Sequence, residues 1–171
     1  MLWVGSFKSL RSKHRKPRFT GAPLEARTWV GSETRLISPL VDWLMGLIAG
    51  SRCVTGEEKY VELALREALC NAMLHGNRLE AHKLVRVCCR CDYSKGVYLV
   101  ISDQGEGFDP KTLRDPPAVE NLESEHGRGI HLMKLAMDEV FFERGGTEVH
   151  MRKKLALQQR TCAPALCVET S

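Results

Sequence analysis

Glu67, Asn71 and His75 stand four residues apart inside ELALREALCNAMLHGN, Glu62 to Asn77, a spacing that puts them on one stripe of a helix. The rest of that helix carries apolar and small residues at three- and four-residue intervals, the pattern of a helix packed on a core. Ala64, Ala68 and Ala72 run beside the polar stripe, so the surface there is shaved down, as it would be for a ligand that comes close. Taken alone, Glu67 and Asn71 are equally readable as a solvated i, i+4 pair worth a few tenths of a kcal/mol, and His75 as a helix C-terminal group that meets the macrodipole.

Two further places could do chemistry. In DQGEGF, Asp103 follows a buried strand while Gly105 and Gly107 strip side chains from the turn; such an Asp either caps a turn or reads the donor edge of a ligand. In Gly127-Arg128-Gly129, the glycines open a helix, where backbone N–H groups either cradle a phosphate or simply turn the chain. Each is weak by itself, and the three in this order favour a bound ligand.

The elements that must position these residues can be read around them. ARTWV reads as a first strand. Ser38-Pro39 suits a helix start, with an earlier start near Ser32 and a bend as the alternative, and Gly50 suits its exit. Thr55 and Glu58 in TGEE form a capping-box pattern for the helix of Glu67, and Gly76 suits its C-terminal cap, giving about 20 residues. LVRVCCRCDY and GVYLVISD, joined by SKG, predict a hairpin whose second strand is buried on both faces and ends at Asp103. Residues 109 to 126 contain Pro110, Pro116 and Pro117 and several charges, the composition of a mobile lid. DEVFFE and TEVHMRKK, meeting at Gly145 and Gly146, predict a closing hairpin.

The full sequence has 171 residues, 43% hydrophobic and 27% charged, enough for one good core and typical of a globular domain. The expected organisation is a basic flexible leader over 1–25, one domain over 26–155 and a loose tail over 156–171. The net charge of +4 is concentrated in the leader, where Lys8, Arg11, Lys13, Arg15, Lys16 and Arg18 precede any acid. No apolar run approaches the roughly 20 residues that span a bilayer, and the cations follow MLWVGSF where a secretory signal would place them first. The expected compartment is the cytoplasm, without membrane association, and the seven cysteines are expected as reduced thiols.

EALCNAMLHGN, DQGEGF, GRGIHLMKLAMDEV and GGTEV, in that order and spacing, resemble the N box, the two glycine boxes and the final threonine strand of the superfamily that includes gyrase, histidine kinases and mismatch-repair ATPases (GHKL). Within it the chain most resembles the bacterial anti-sigma-factor serine/threonine kinases, over roughly Ala26 to Lys154. The resemblance implies a Bergerat-type ATP-binding fold, an α/β two-layer sandwich with a mixed, mostly antiparallel sheet and helices on one face. It implies ATP and Mg²⁺ as cofactors. Asn71 matches the magnesium ligand, a neutral oxygen donor. Asp103 matches the carboxylate that accepts from the adenine amino group, with Thr147 nearby, and Gly105 and Gly107 match the glycines that let the ring approach the backbone. Gly127 and Gly129 would offer N–H groups to the phosphates, and Arg128 could reach the terminal one. Glu67 matches the proposed base that orients or deprotonates an attacking hydroxyl.

Histidine kinases carry their phosphoacceptor on a preceding helix, and gyrase-like ATPases add a transducer domain; the expectation here is instead a stand-alone kinase for a serine or threonine of another protein. The implied partners are an anti-sigma-factor antagonist as substrate, a sigma factor, and a second copy in a homodimer. The alternatives are an ATP-binding regulatory module without kinase activity, or a redox or zinc anti-sigma protein built on Cys88, Cys89 and Cys91 with His82. A strand would send Cys88 and Cys91 to opposite faces, which favours packed thiols. No specific nucleic-acid motif accompanies the leader, which reads as a solvated tail or as an overlong start of the reading frame.

Overall fold

The computed structural model describes residues 23–110 and 125–155. Residues 1–22 of the leader, 111–124 of the span read as a lid, and the tail over 156–171 lie outside the described residues. In chain order the elements are β1 (Leu24–Gly31), α1 (Ile37–Ser51), α2 (Glu58–Cys70), β2 (Leu84–Asp92), β3 (Gly96–Ser102), α3 (Glu125–Ala136), β4 (Glu139–Glu143) and β5 (Glu148–Lys153).

Strand alternation decides where the core lies. Val85, Val87, Cys89 and Cys91 of β2, Val97, Leu99 and Ile101 of β3, and Val149 and Met151 of β5 are buried, a period of two that puts them on one face of a sheet. The helices supply the facing layer through Leu40, Val41, Leu44 and Ile48 of α1, Val61, Leu65 and Leu69 of α2, and Met133 and Ala136 of α3. The result is a two-layer α/β sandwich with the strand order β1-β2-β3-β5-β4. All four neighbouring pairs are antiparallel, so among the described residues the sheet is wholly antiparallel and the mixed part of the expectation is corrected. Among those residues, no helix is long and apolar enough to cross a membrane.

Several local expectations need correction. The central strand β3 is buried on its helix side only; Tyr98, Val100 and Ser102 on its other side are half-buried, because among the described elements no second layer covers that face. A 3-10 turn over Thr34–Leu36 precedes α1, and α1 runs past Gly50 to Ser51, with Arg52 taking the left-handed cap at φ 54. The capping box does not form: Glu58 Oε2 accepts from the Gly56 N–H at 2.7 Å and not from that of Thr55, the residue preceding the helix is Glu57, without a side-chain cap, and the Thr55 hydroxyl donates back to the Arg52 carbonyl at 3.3 Å.

The cysteine run behaves as strand alternation requires. Cys89 and Cys91 are fully buried, Cys88 is half-buried on the other side, and Cys53 from the end of α1 joins the buried pair. The Cys89 and Cys91 sulfurs lie 3.8 Å apart. The hydrogen bond with Cys91 and burial push the Cys53 thiol far up. At Cys91 the bond with Cys53 pulls downward but is outweighed by Cys89 and by burial, which take it to about 12. These groups stay protonated at neutral pH, the state of packing sulfurs and not of nucleophiles.

One buried polar side chain fastens the helix layer to the sheet. Asn77, fully buried, donates to Ser32 Oγ at 2.6 Å and to the Leu84 carbonyl at 3.2 Å, and accepts from the Gln104 N–H at 2.7 Å. It therefore joins the ends of β1 and α2, the start of β2 and the turn after β3. Asn77→Ala leaves those groups without partners, and urea unfolding should show a loss of about 1–3 kcal/mol.

Candidate functional site

The end of α2 is where the sequence's polar stripe meets the sheet. After Cys70 the helix widens into a π-helical turn, Asn71–Gly76, a distortion that is common at functional sites. The chain then leaves through Arg78 and Leu79, both left-handed at φ 53 and 56. Between this turn and the sheet lies a cavity of about 560 Å³, inside the span of about 300–1,000 Å³ usual for small-molecule sites. Ile101, Met133, Phe142 and Val149 line it with apolar surface, and Asn71, His75, Asp103 and Thr147 bring polar groups to it.

Asp103, one of the lining residues, is held in place by close backbone approach. Its N–H donates to the Thr147 carbonyl at 3.0 Å, and its Oδ1 accepts from the Gly105 N–H at 2.8 Å. A Cβ on Gly76 would sit 2.4 Å from the Asp103 carboxyl carbon, and one on Gly105 would sit 2.1 Å from the Gly76 carbonyl oxygen. Only glycine at these two positions lets the end of α2 close over the carboxylate. Burial raises the Asp103 pKa, against the opposing pull of the Gly105 N–H.

The remaining expected residues fall in two groups. Gly107 and Thr147 line the cavity with Asp103 and Asn71, and the Thr147 hydroxyl donates to the Arg144 carbonyl at 3.0 Å. Glu67, Gly105, Arg128 and Gly129 are not among the described residues that line the cavity. Glu67 and Asn71 instead converge on α3: a Cβ on Gly129 would lie 2.8 Å from Glu67 Oε2 and 3.4 Å from Asn71 Oδ1. Gly129 lies inside α3, where an α-helix commits the N–H to its own ladder. Gly129 thus serves close packing on the polar stripe. Arg128 is exposed.

A family model described as the histidine kinase-like ATPase domain matches residues 31–153, from the end of β1 through β5. Among its relatives are three anti-sigma F factors. That of Clostridium novyi (strain NT) is 30% identical over 100 residues, covering 56% of this chain and 69% of the relative. Those of Geobacillus stearothermophilus and Heyndrickxia coagulans are each 29% identical, over 113 and 114 residues, covering 63% and 64% of this chain and 77% and 75% of theirs. The chain belongs to the anti-sigma-factor kinase family of histidine kinase-like ATPases.

Membership implies ATP as the ligand class of the domain, and the cavity's lining is compatible with it, because apolar side chains stand there beside a carboxylate that can accept from an exocyclic amine. The cavity also has contributors outside the residues matched to the family's boxes. His75, the third member of the polar stripe, lines it beside Asn71, and Arg78, which the sequence did not single out, adds a cation paired to Glu106 at 2.7 Å. Gly76, readable as a helix cap, is the space that Asp103 fills. The apolar lining comes from strands and helices far apart in sequence, and periodicity marks a buried face without telling which buried face borders a cavity.

The desolvated carboxylate gives a signed prediction for the nucleotide-free protein. A carboxyl whose native pKa is raised contributes stability at acid pH, and this is lost as pH rises from the ordinary Asp value through the native one. Asp103→Asn should therefore melt higher than the parent chain near neutral pH, with the gap closing as pH falls. Thermal unfolding across that range checks it.

Proposed function

We propose that the chain is an ATP-dependent serine/threonine protein kinase acting as an anti-sigma factor. It phosphorylates an anti-sigma-factor antagonist, binds a sigma factor and works as a homodimer in transcription regulation. The observation that carries the reading is the convergence of Glu67 and Asn71, one helical turn apart, on Gly129, beside a cavity closed by the desolvated Asp103. The anti-sigma F names of the relatives support the partner class.

Each residue has a role that follows from its chemistry. Bound Mg-ATP supplies the phosphoryl group and the cation that neutralises its charge. Asp103 accepts from the adenine amine, and Gly105, Gly107 and Thr147 shape the adjoining wall. Asn71 offers a neutral oxygen suited to Mg²⁺, which keeps several waters and takes few protein ligands. Glu67 orients a substrate hydroxyl and accepts its proton. Gly127, Gly129 and Arg128 belong to the segment that faces the phosphates, the Gly127 N–H and the Arg128 guanidinium being its anion-binding groups.

Separating binding from chemistry tests the assignment. Asp103→Asn presents an amide donor to a donor and should weaken ATP by about 1–3 kcal/mol in calorimetry. Glu67→Gln should keep nucleotide affinity and lose phosphoryl transfer to the antagonist, while Asn71→Ala should also lose magnesium-dependent binding. Normal transfer by Glu67→Gln would remove Glu67 as the base. ATP binding without transfer by the parent chain, given its cognate antagonist, would leave a nucleotide-binding regulatory module.

A further inference from the structure

On the face of the sheet away from the helices, three ligating side chains gather at the β4–β5 end. Glu143 ends β4 and is paired with Glu148, the first residue of β5; His150 lies two residues on and so shares the face of Glu148. One ligand atom from each of the three lies within 4.8 Å of the other two. His150 Nε2 is 2.9 Å from Glu148 Oε1 and 3.4 Å from Glu143 Oε2. Two carboxylates directly opposite on antiparallel strands repel, and a neutral imidazole has one N–H to offer them.

The surroundings fix these groups in place. The second ring nitrogen of His150 meets the Tyr98 hydroxyl at 2.5 Å, and Phe141 stacks on the ring at 4.7 Å. Glu148 turns its other oxygen to Arg86 at 2.6 Å and to Ser102. Glu148 and His150 are only 6% and 11% exposed, whereas Glu143 is 55% exposed and leaves the cluster open to solvent on its side. Burial pushes the Glu148 pKa up, but hydrogen bonds from Ser102, His150 and Arg86 outweigh it and keep the group ionised.

We propose that Glu143, Glu148 and His150 form a binding site for a zinc-like divalent cation on the open face of the sheet. Ligands about 2.0–2.1 Å from a common centre stand about 2.9–3.4 Å apart in octahedral or tetrahedral order, which matches the two separations to Nε2. An imidazole beside two carboxylates favours zinc and the similar cobalt ion over magnesium or calcium, with solvent completing the shell. Binding forms one bond from Nε2 and one from each carboxylate. Neutral His150 moves its proton to Nδ1, where Tyr98 oxygen accepts it, and the phenol keeps its own; protonated His150 releases one proton. Tyr98, Arg86 and Ser102 are then the positioning groups behind the ligands.

The site adjoins the nucleotide cavity through the backbone. Ser102 and Glu148 are paired across β3 and β5, and the residues next to them, Asp103 and Thr147, share a hydrogen bond on the cavity side. A cation here would brace those strand ends without entering the cavity.

Cobalt(II) titration of the full-length, nucleotide-free protein tests the site through visible absorption and calorimetry. The expected result is saturable one-to-one binding with d–d bands of nitrogen and oxygen ligation. Glu143→Gln should weaken it by more than about tenfold, and Tyr98→Phe should weaken it by about tenfold or more. Asn71→Ala should bind cobalt as the parent chain does. No saturable binding, an unchanged affinity in Glu143→Gln, loss in Asn71→Ala, or an intense sulfur-to-cobalt band showing cysteine ligation would each overturn the proposal.

Discussion

A carboxylate stripped of much of its water sits at the end of the central strand, and the neighbouring chain is arranged to let it stay there. Asp103 has a raised pKa because burial opposes its charge, and the structure offsets that cost with the Gly105 N–H. Gly76 and Gly105 give up side chains so that helix end and turn can close around it. Asn77, one residue past Gly76, pins the same turn through the Gln104 N–H. The helix layer, the sheet and the loop between them thus meet at one group whose own solvation disfavours the arrangement.

The helix α2 resolves two demands that compete for one surface. Its apolar residues must pack on the sheet, and its polar stripe must stay accessible. Ala64 is fully buried, Ala68 and Ala72 border the cavity, and Gly129 brings α3 onto Glu67 and Asn71. The small residues therefore do two things: they leave room for the cavity, and they let a helix come close. The π-helical turn at Asn71 lets the polar face follow the cavity where a regular helix would continue along the sheet.

What the sequence discloses is the periodicity of each element taken alone. The two hairpins, α2 and the outward turn of Cys88 were legible because period two and period 3.6 need only local residues. The both-face burial expected of β3 failed because a continuous apolar run does not say whether a second layer exists. The π-helical turn was invisible, since Asn71, Ala72 and Met73 fit a regular helix equally well. Cys53 could not be placed against Cys91, nor Asn77 against Ser32, because their meeting depends on tertiary packing. At the site, Asp103, Asn71, Gly107 and Thr147 were found as lining residues through the family's boxes, while Glu67 and Gly129 meet each other on the α2–α3 seam.

The same strand ends serve both faces of the sheet, which limits how independently those faces can change. Side chains alternate, so Ser102 and Glu148 point to the open face while Ile101 and Val149 point to the cavity. Beyond them the Asp103 N–H bonds to the Thr147 carbonyl, tying the residue that carries the desolvated carboxylate to the β4–β5 hairpin. A shift of β5 that relieved the crowding of Glu143, Glu148 and His150 would also move Thr147 and stretch that bond. Conversely, anything that fixes Asp103 against the cavity fixes the spacing of the carboxylates behind it. The coupling needs no moving domain, because two adjacent residues on each of two strands already share one backbone.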